Sequence, residues 1–406
     1  MKDLIIFKYK GWKFSIFFVT TFFLCVLQIN CVQTFDPATL AFEEILVVEA
    51  TITDEFKKQI VNLSKTTPLE NRELESVSGA VVTVIDDDAN TYIFEEESTG
   101  TYLSIEPFKA EINRDYELLV VTADGSSYKS NAVSISGISR IDTISAVKSI
   151  NTDGIEGIEI FVDGSGVGDN TSYFRYEYEE TYEIKSLYAP SLDLVIASEN
   201  PPRVFTQLKQ KEERTCYSTR LSTNIILGTS QNLSTNSLEN IPVRFIPSND
   251  FILRERYSIN VRQLVQSREV QSFYEALEKF SNLESLFSQT QPGFIEGNIK
   301  SLNTLEKKVL GIFAVASVAS KRIFINFENF FPDKSRPAFI NECEPIELPS
   351  ANAGGSAGSQ LIQLLRSGRY KYVAENPASG TFIIALDRCV DCTLLGTNVR
   401  PEFWED

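Results

Sequence analysis

Six cysteines and no histidine set the limits of what this 406-residue chain can do chemically. Without imidazole there is no Ser-His-Asp or Cys-His catalysis, no His-ligated zinc, copper, iron or haem, and no ordinary general base near neutral pH. Carboxylate-pair, lysine or tyrosine chemistry remains. The chain also has no Gly-rich phosphate loop, no GxSxG elbow and no EF-hand loop. These exclusions point to a non-enzymatic protein that needs no cofactor. The alternative is a hydrolase acting on glycan or peptide through two carboxylates, which 55 acidic residues permit but do not indicate. Its sign is a cleft with two carboxyl groups about 5 to 10 Å apart, one of them with a raised pKa.

Four cysteines lie far along the chain, at Cys216, Cys343, Cys389 and Cys392. The last two form a CxxC. A redox pair wants a helix N-terminus behind it, whereas Thr393-Leu394-Leu395-Gly396-Thr397-Asn398 reads as a short strand or turn. A four-thiolate zinc site wants a second close pair, and Cys216 and Cys343 are too widely separated to make one. Structural disulfides are left, with three pairings open.

Cys31 and Cys25 are read differently. Lys2, Lys8, Lys10 and Lys13 precede a sixteen-residue uncharged apolar run, Phe14 to Ile29, which is shorter than the roughly 20 residues a spanning helix needs. This pattern predicts a cleaved lipoprotein signal over 1–30, acylated Cys31 and a tether over 31–41. Gln28 and Asn30 make Leu27-Gln28-Ile29-Asn30-Cys31 a loose version of the expected lipobox. Cys25 sits inside the apolar run as a small hydrophobe. The formal charge of the whole chain is −17, and the basic leader conceals part of it. Such a surface repels phosphate backbones and argues against nucleic-acid binding.

The elements that must position these residues are mainly β. Ile45–Ile52, Ala80–Ile85, Thr101–Ile105 and Tyr116–Thr122 are short, β-branched or aromatic, and bounded by turns. They predict an N-terminal prealbumin- or immunoglobulin-like β-sandwich over 42–138. Asp86-Asp87-Asp88-Ala89-Asn90 reads as a hairpin turn rather than a calcium loop. A larger β-rich domain is expected over 139–406, with strands at Ile158–Val162, Tyr173–Tyr182, Val309–Val315 and Arg322–Phe327. Tyr176, Tyr178 and Tyr182 alternate with polar residues and are expected in its core, the other use of such a face being to stack sugar rings or hold a peptide.

One segment has helical periodicity. Val270, Phe273, Tyr274, Leu277, Phe280 and Leu283 recur at three- and four-residue intervals, so an amphipathic helix is expected over about 267–287, capped by Ser267 and stopped before Gln291-Pro292-Gly293. Its apolar stripe is expected to cover one end of the second sandwich. Ser350–Ser359, rich in Gly, Ser and Ala, reads as a flexible loop.

Several stretches together carry a family resemblance. They are Cys31–Asp36, Ile45–Thr53, Ser78–Val84, Pro292-Gly293-Phe294-Ile295-Glu296-Gly297-Asn298-Ile299, and the closing Cys389-Val390-Asp391-Cys392 through Phe403-Trp404. The sequence resembles the Bacteroidota lipoproteins grouped as domain of unknown function 4249, over nearly all of the chain after the leader. That resemblance implies an outer-membrane lipoprotein with an N-terminal prealbumin or immunoglobulin-like domain and a larger β-rich domain. It also implies a place beside a TonB-dependent transporter, and it brings no catalytic residues.

Overall fold

The computed structural model describes residues 44–67, 75–168, 172–281, 294–303, 307–340, 342–350 and 355–405. The expected signal, Cys31 and the tether lie outside them. Ile45–Asp406 forms one unit. Its strands run β1 (Leu46–Thr53), β2 (Ile60–Lys65), β3 (Glu75–Ser76), β4 (Val81–Asp86), β5 (Thr91–Ser98), β6 (Thr101–Ser104), β7 (Tyr116–Val121) and β8 (Ser127–Ser130). Next come β9 (Ile138–Ile150), β10 (Glu156–Val167), β11 (Tyr173–Lys185), β12 (Leu192–Glu199), β13 (Pro202–Leu208), β14 (Thr215–Leu221), β15 (Ile226–Thr229), β16 (Ser237–Pro247) and β17 (Tyr257–Val265). Helix α1 (Arg268–Ser281) is followed by β18 (Ile299–Ser301), β19 (Val309–Ile325) and the short α2 (Phe327–Phe330). The chain closes with β20 (Ile346–Pro349), α3 (Gly355–Arg366), β21 (Tyr370–Asn376), β22 (Thr381–Leu386) and α4 (Asp387–Val390).

The fold is mainly β, as the alternation and turn chemistry predict. In β1 the residues Leu46, Val48, Ala50 and Ile52 are buried while Val47, Glu49 and Thr51 face the other way, the period of two that a sheet buried on one side imposes. They pack with Val61, Val82, Tyr102, Tyr116 and Leu118 into a first core. The chain crosses between β4 and β5 at Asp86–Asn90, which is the expected hairpin turn. Buried Asp86 accepts hydrogen bonds from the Asp88 and Asn90 amides, from Tyr92 and from Arg114, so its oxygens are occupied within the turn.

A second core lies between β11 and β17 on one side and the β16-β10-β9 sheet on the other, the two-layer arrangement of a sandwich. Tyr176, Tyr178 and Tyr182 are buried in it, as expected. The two cores share β19. Its first half pairs in parallel with β1 and supplies Phe313 and Val315 to the first core, and its second half pairs with β17 and supplies Ile325 to the second. The sequence reads as two strands here because Ala316, Ser317, Ala319 and Ser320 are weak strand formers. The structure has a single 17-residue strand, because Ser317 and Val318 are held from outside by Ser139 and Asp54.

Gly297 and Gly311 make a second junction. A Cβ on Gly297 would overlap the Gly311 carbonyl, and Gly311 itself has φ of 153° against the Val48 backbone. Next to them the Asn298 side chain donates to the Phe313 carbonyl and accepts from its amide, at 2.7 and 2.8 Å. Close passage of two backbones thus explains the Gly-Asn pair ahead of β18.

Ser267 caps α1 through its Oγ, which accepts from the Val270 amide. The described helix ends at Ser281, short of the expected Phe287, and 282–293 lie outside the described residues. Its stripe of Val270, Phe273, Tyr274 and Leu277 packs on Leu310, Ile312 and Ala314. These belong to the face of β19 turned away from the cores. The expected loop over 350–359 needs correction, because Gly355 to Ser359 begin α3. Leu361 and Ile362 bury that helix against β12, β13 and the β20-β22-β21 sheet, and this tertiary contact outweighs the weak propensity of its first turn.

Candidate functional site

The same alternation that fills the cores leaves a polar face. On β11, Phe174, Tyr176 and Tyr178 point into the second core, so Arg175, Glu177 and Glu179 point out of it. On β17, Arg262 lies directly opposite Glu177 and Asn260 opposite Glu179. On β1, Glu49 and Thr51 face outward, and Asn62 of β2 is the direct cross-strand partner of Glu49. Together with Leu310 and Ile312 of β19, Tyr274 and Leu277 of α1, and the 221–225 connection, these residues line a cleft of about 1250 Å³ at the junction of the two cores.

Ion pairs link its floor residues Lys57, Arg262, Glu177 and Arg175 to one another, with Glu55 just outside the lining joining the first two. Lys57 Nζ lies 2.7 Å from Glu55, and Glu55 lies 2.6 Å from Arg262. Arg262 reaches Glu177 at 3.1 Å, and Glu177 reaches Arg175 at 3.0 Å. Arg175 returns to Thr51 at 3.4 Å and stacks on the Tyr274 ring, 4.4 Å from its centroid. Its Nε is buried without a hydrogen-bond partner. Arg322 of β19 holds Glu179 at 2.7 Å and lies over Phe403.

The electrostatics favour charged, mutually paired groups. Burial pushes the Glu55 carboxyl up, but the hydrogen bond from Lys57 and the charge of Arg262 outweigh it and hold the group below the usual carboxylate range. Burial raises the Tyr274 phenol, with Arg175 opposing and Glu177 and Glu49 adding to it. The raised acid that a two-carboxylate hydrolase needs is thus not what acts on Glu55. Among the described residues no cluster of three or more His, Cys, Asp or Glu is arranged to hold a metal.

A family model described as a domain of unknown function, DUF4249, matches residues 32–322. The chain belongs to that family. The match takes in β1, β2, β11, β17 and most of β19 of this DUF4249 protein, and ends at residue 322, before the CxxC stretch. No curated protein matches the chain. Among solved structures, a "Biofilm associated protein - B domain" aligns over 68% of this chain and 85% of its own, at 8% identity and a TM-score of 0.14. A "Biofilm associated protein - BSP domain" aligns over 70% and 62%, at 9% identity and 0.13. Likenesses this remote carry no argument about fold or function.

The four downstream cysteines of the DUF4249 protein form two bridges, Cys216–Cys392 and Cys343–Cys389. Each half of the CxxC therefore has a distant partner. Cys392 staples a 3-10 turn (Cys392–Leu394), where the sequence suggested a strand or turn, to β14, and Cys389 staples α4 to the segment before β20. Asp391 between them pairs with Lys371 at 2.5 Å, and Lys371 with Glu213 at 2.9 Å. Trp404 then packs edge-on against Tyr217 and Phe324.

Apart from Tyr274 and Leu277 of the helical stripe, the cleft residues discussed above were not among those the sequence singled out. Their signal was present in Tyr173–Tyr182, where Arg175, Glu177 and Glu179 interleave with the tyrosines. The tyrosine half of that alternation describes the core, and the charged half describes the cleft.

Proposed function

We propose that this DUF4249 protein is a non-enzymatic lipoprotein of the cell envelope, acylated at Cys31 and held at the outer membrane. In this reading it binds a ligand through the junction cleft as the accessory partner of a TonB-dependent β-barrel transporter. The observation that carries the reading is the cleft floor itself, an open surface between two cores whose arginines and carboxylates pair with one another. Such a floor offers preorganised hydrogen bonds at little cost in reorganisation, which suits binding. The basic leader ending at Cys31 supports the anchor. No helix among the described residues is long and apolar enough to cross a membrane.

A lipid tether confines the chain to a plane and raises its effective concentration for a membrane partner, so a modest interface suffices. Cys31→Ala is expected to move the protein out of the membrane fraction while leaving it folded. Retention of the variant in detergent-free membranes after a high-salt wash contradicts the anchor. Gentle detergent extraction of the wild type is expected to recover a β-barrel transporter in near-stoichiometric amount, and recovery of the lipoprotein alone contradicts the partnership.

A further inference from the structure

The geometry points to an uncharged oligosaccharide as the ligand of the junction cleft, bound across Glu49, Asn62 and the Arg175–Glu177–Arg262 ion pairs. This rests on the proposed role of the cleft as a ligand site. Size excludes the smallest ligands first. At about 1250 Å³ the cleft exceeds the roughly 300 to 1,000 Å³ of ordinary small-molecule pockets, so its ligand is extended.

Charge narrows the class. Arg175, Arg262 and Arg322 each already hold a carboxylate, so none is free to anchor a phosphate or a uronate. The formal charge of −17 also repels polyanions. The ion-paired groups still have unused lone pairs and N–H groups, because a carboxylate offers about four acceptor sites and a guanidinium five donors. A lattice that presents donors and acceptors side by side, with its charges neutralised internally, matches hydroxyl groups, each of which donates and accepts.

Topology weighs against an extended peptide. Strand addition needs an open ladder edge, whereas β1, β2, β11, β17 and β19 each already have neighbours on both sides. The floor can therefore be read only through side chains. The outward row supplies them, with exposed Asn62 directly beside exposed Glu49 and Ile312 on the other side of Glu49. The flanks complete the match. Exposed Ile60 and Leu221 stand on the lining, beside the part-buried Tyr274 and Leu277 of α1. Sugar rings present hydroxyl edges and apolar C–H faces, the same pairing of surfaces.

The test is binding of the full-length protein to an array of neutral hexose oligosaccharides, with oligouronates and lysine-rich peptides as the other arms. Saturable binding to a neutral oligosaccharide is expected, weakened at least tenfold by E49R and by N62A. Both positions are exposed, and circular dichroism and the unfolding midpoint confirm that the variants are folded. Binding confined to the uronates or to the peptides overturns the inference, as does binding that E49R and N62A leave unchanged or no binding in any arm. The transporter pull-down is read separately, so recovery of the transporter without any oligosaccharide binding defeats the ligand class and leaves the accessory role standing.

Discussion

At the junction cleft and its edge, Glu177 and Glu55 keep 35% and 34% of their side-chain surface in solvent, whereas Glu213 and Asp391 beside the C-terminal disulfides keep 9% each. Both places link carboxylates to long cations at similar distances. The first lies open at the meeting of two cores, and the second is flanked by two covalent bridges. The same residue types thus do different work. Exposed pairs gain little net energy and remain available to a ligand, while an enclosed carboxylate that loses its cation, as Asp391 would without Lys371, is costly to leave dry. The contrast separates a surface proposed to bind from a clasp that holds the end of the chain in place.

The largest expected effect lies in the clasp. Cys216→Ser with Cys392→Ser frees a closure spanning 176 positions, and chain entropy places the loss of stability at about 4 to 5 kcal/mol. Urea unfolding followed by tryptophan fluorescence measures it, and Trp404 reports directly because it sits on Tyr217, next to Cys216. A loss below about 1 kcal/mol would place the C-terminal segment's stability elsewhere.

Next comes a matched pair of substitutions. Lys371→Met leaves Asp391 without its cation and Glu213 with Lys209 alone, and is expected to cost about 2 kcal/mol, less than a fully buried pair because Lys371 keeps 32% of its surface in solvent. Arg262→Met in the cleft is expected to cost at most about 1 kcal/mol, with much of that screened by salt. Equal losses in the two variants would erase the distinction between the regions.

A smaller effect appears in acid. Burial raises the Asp391 carboxyl, but hydrogen bonds from Lys371 and Thr393 outweigh it and leave it below its ordinary value of 3.8. A depressed acid contributes stability that is complete above the unfolded pKa and disappears as pH falls through the folded one. Lys371 moves the opposite way, above 10.5, since the carboxylates overcome its burial, so its contribution is complete below 10.5 and is lost only at higher pH. Asp391→Asn is therefore expected to lower stability at neutral pH and to flatten its decline as pH falls below 3.8. An unchanged slope would show that Asp391 titrates alike in the folded and unfolded chain.

How much of this was legible depends on the range of the interactions. Period-two alternation exposed β1, β4, β7 and β11, because a one-sided sheet writes itself into local sequence. The hairpin turn at Asp86–Asn90 and the Ser267 cap were equally local. The single strand from Val309 to Ile325 was not, since its small central residues are held by Asp54 and Ser139 far away in sequence. Helix α3 was hidden for a similar reason, because a Gly-Ser-Ala run becomes helical through the burial of Leu361 and Ile362. The cleft was half visible. Arg175, Glu177 and Glu179 alternate in plain view, but only the register of β11 on β17 brings Arg262 opposite Glu177, and register is not local information.

Binding without turnover is the central claim, and product analysis tests it most directly. The full-length protein is incubated with the neutral oligosaccharide panel, and the sugars are then weighed by mass spectrometry. The account predicts that every oligosaccharide is recovered at its original mass, including those retained by the protein. Shortened products that disappear with Glu177→Gln or Glu55→Gln would contradict it and establish the cleft as a hydrolase site.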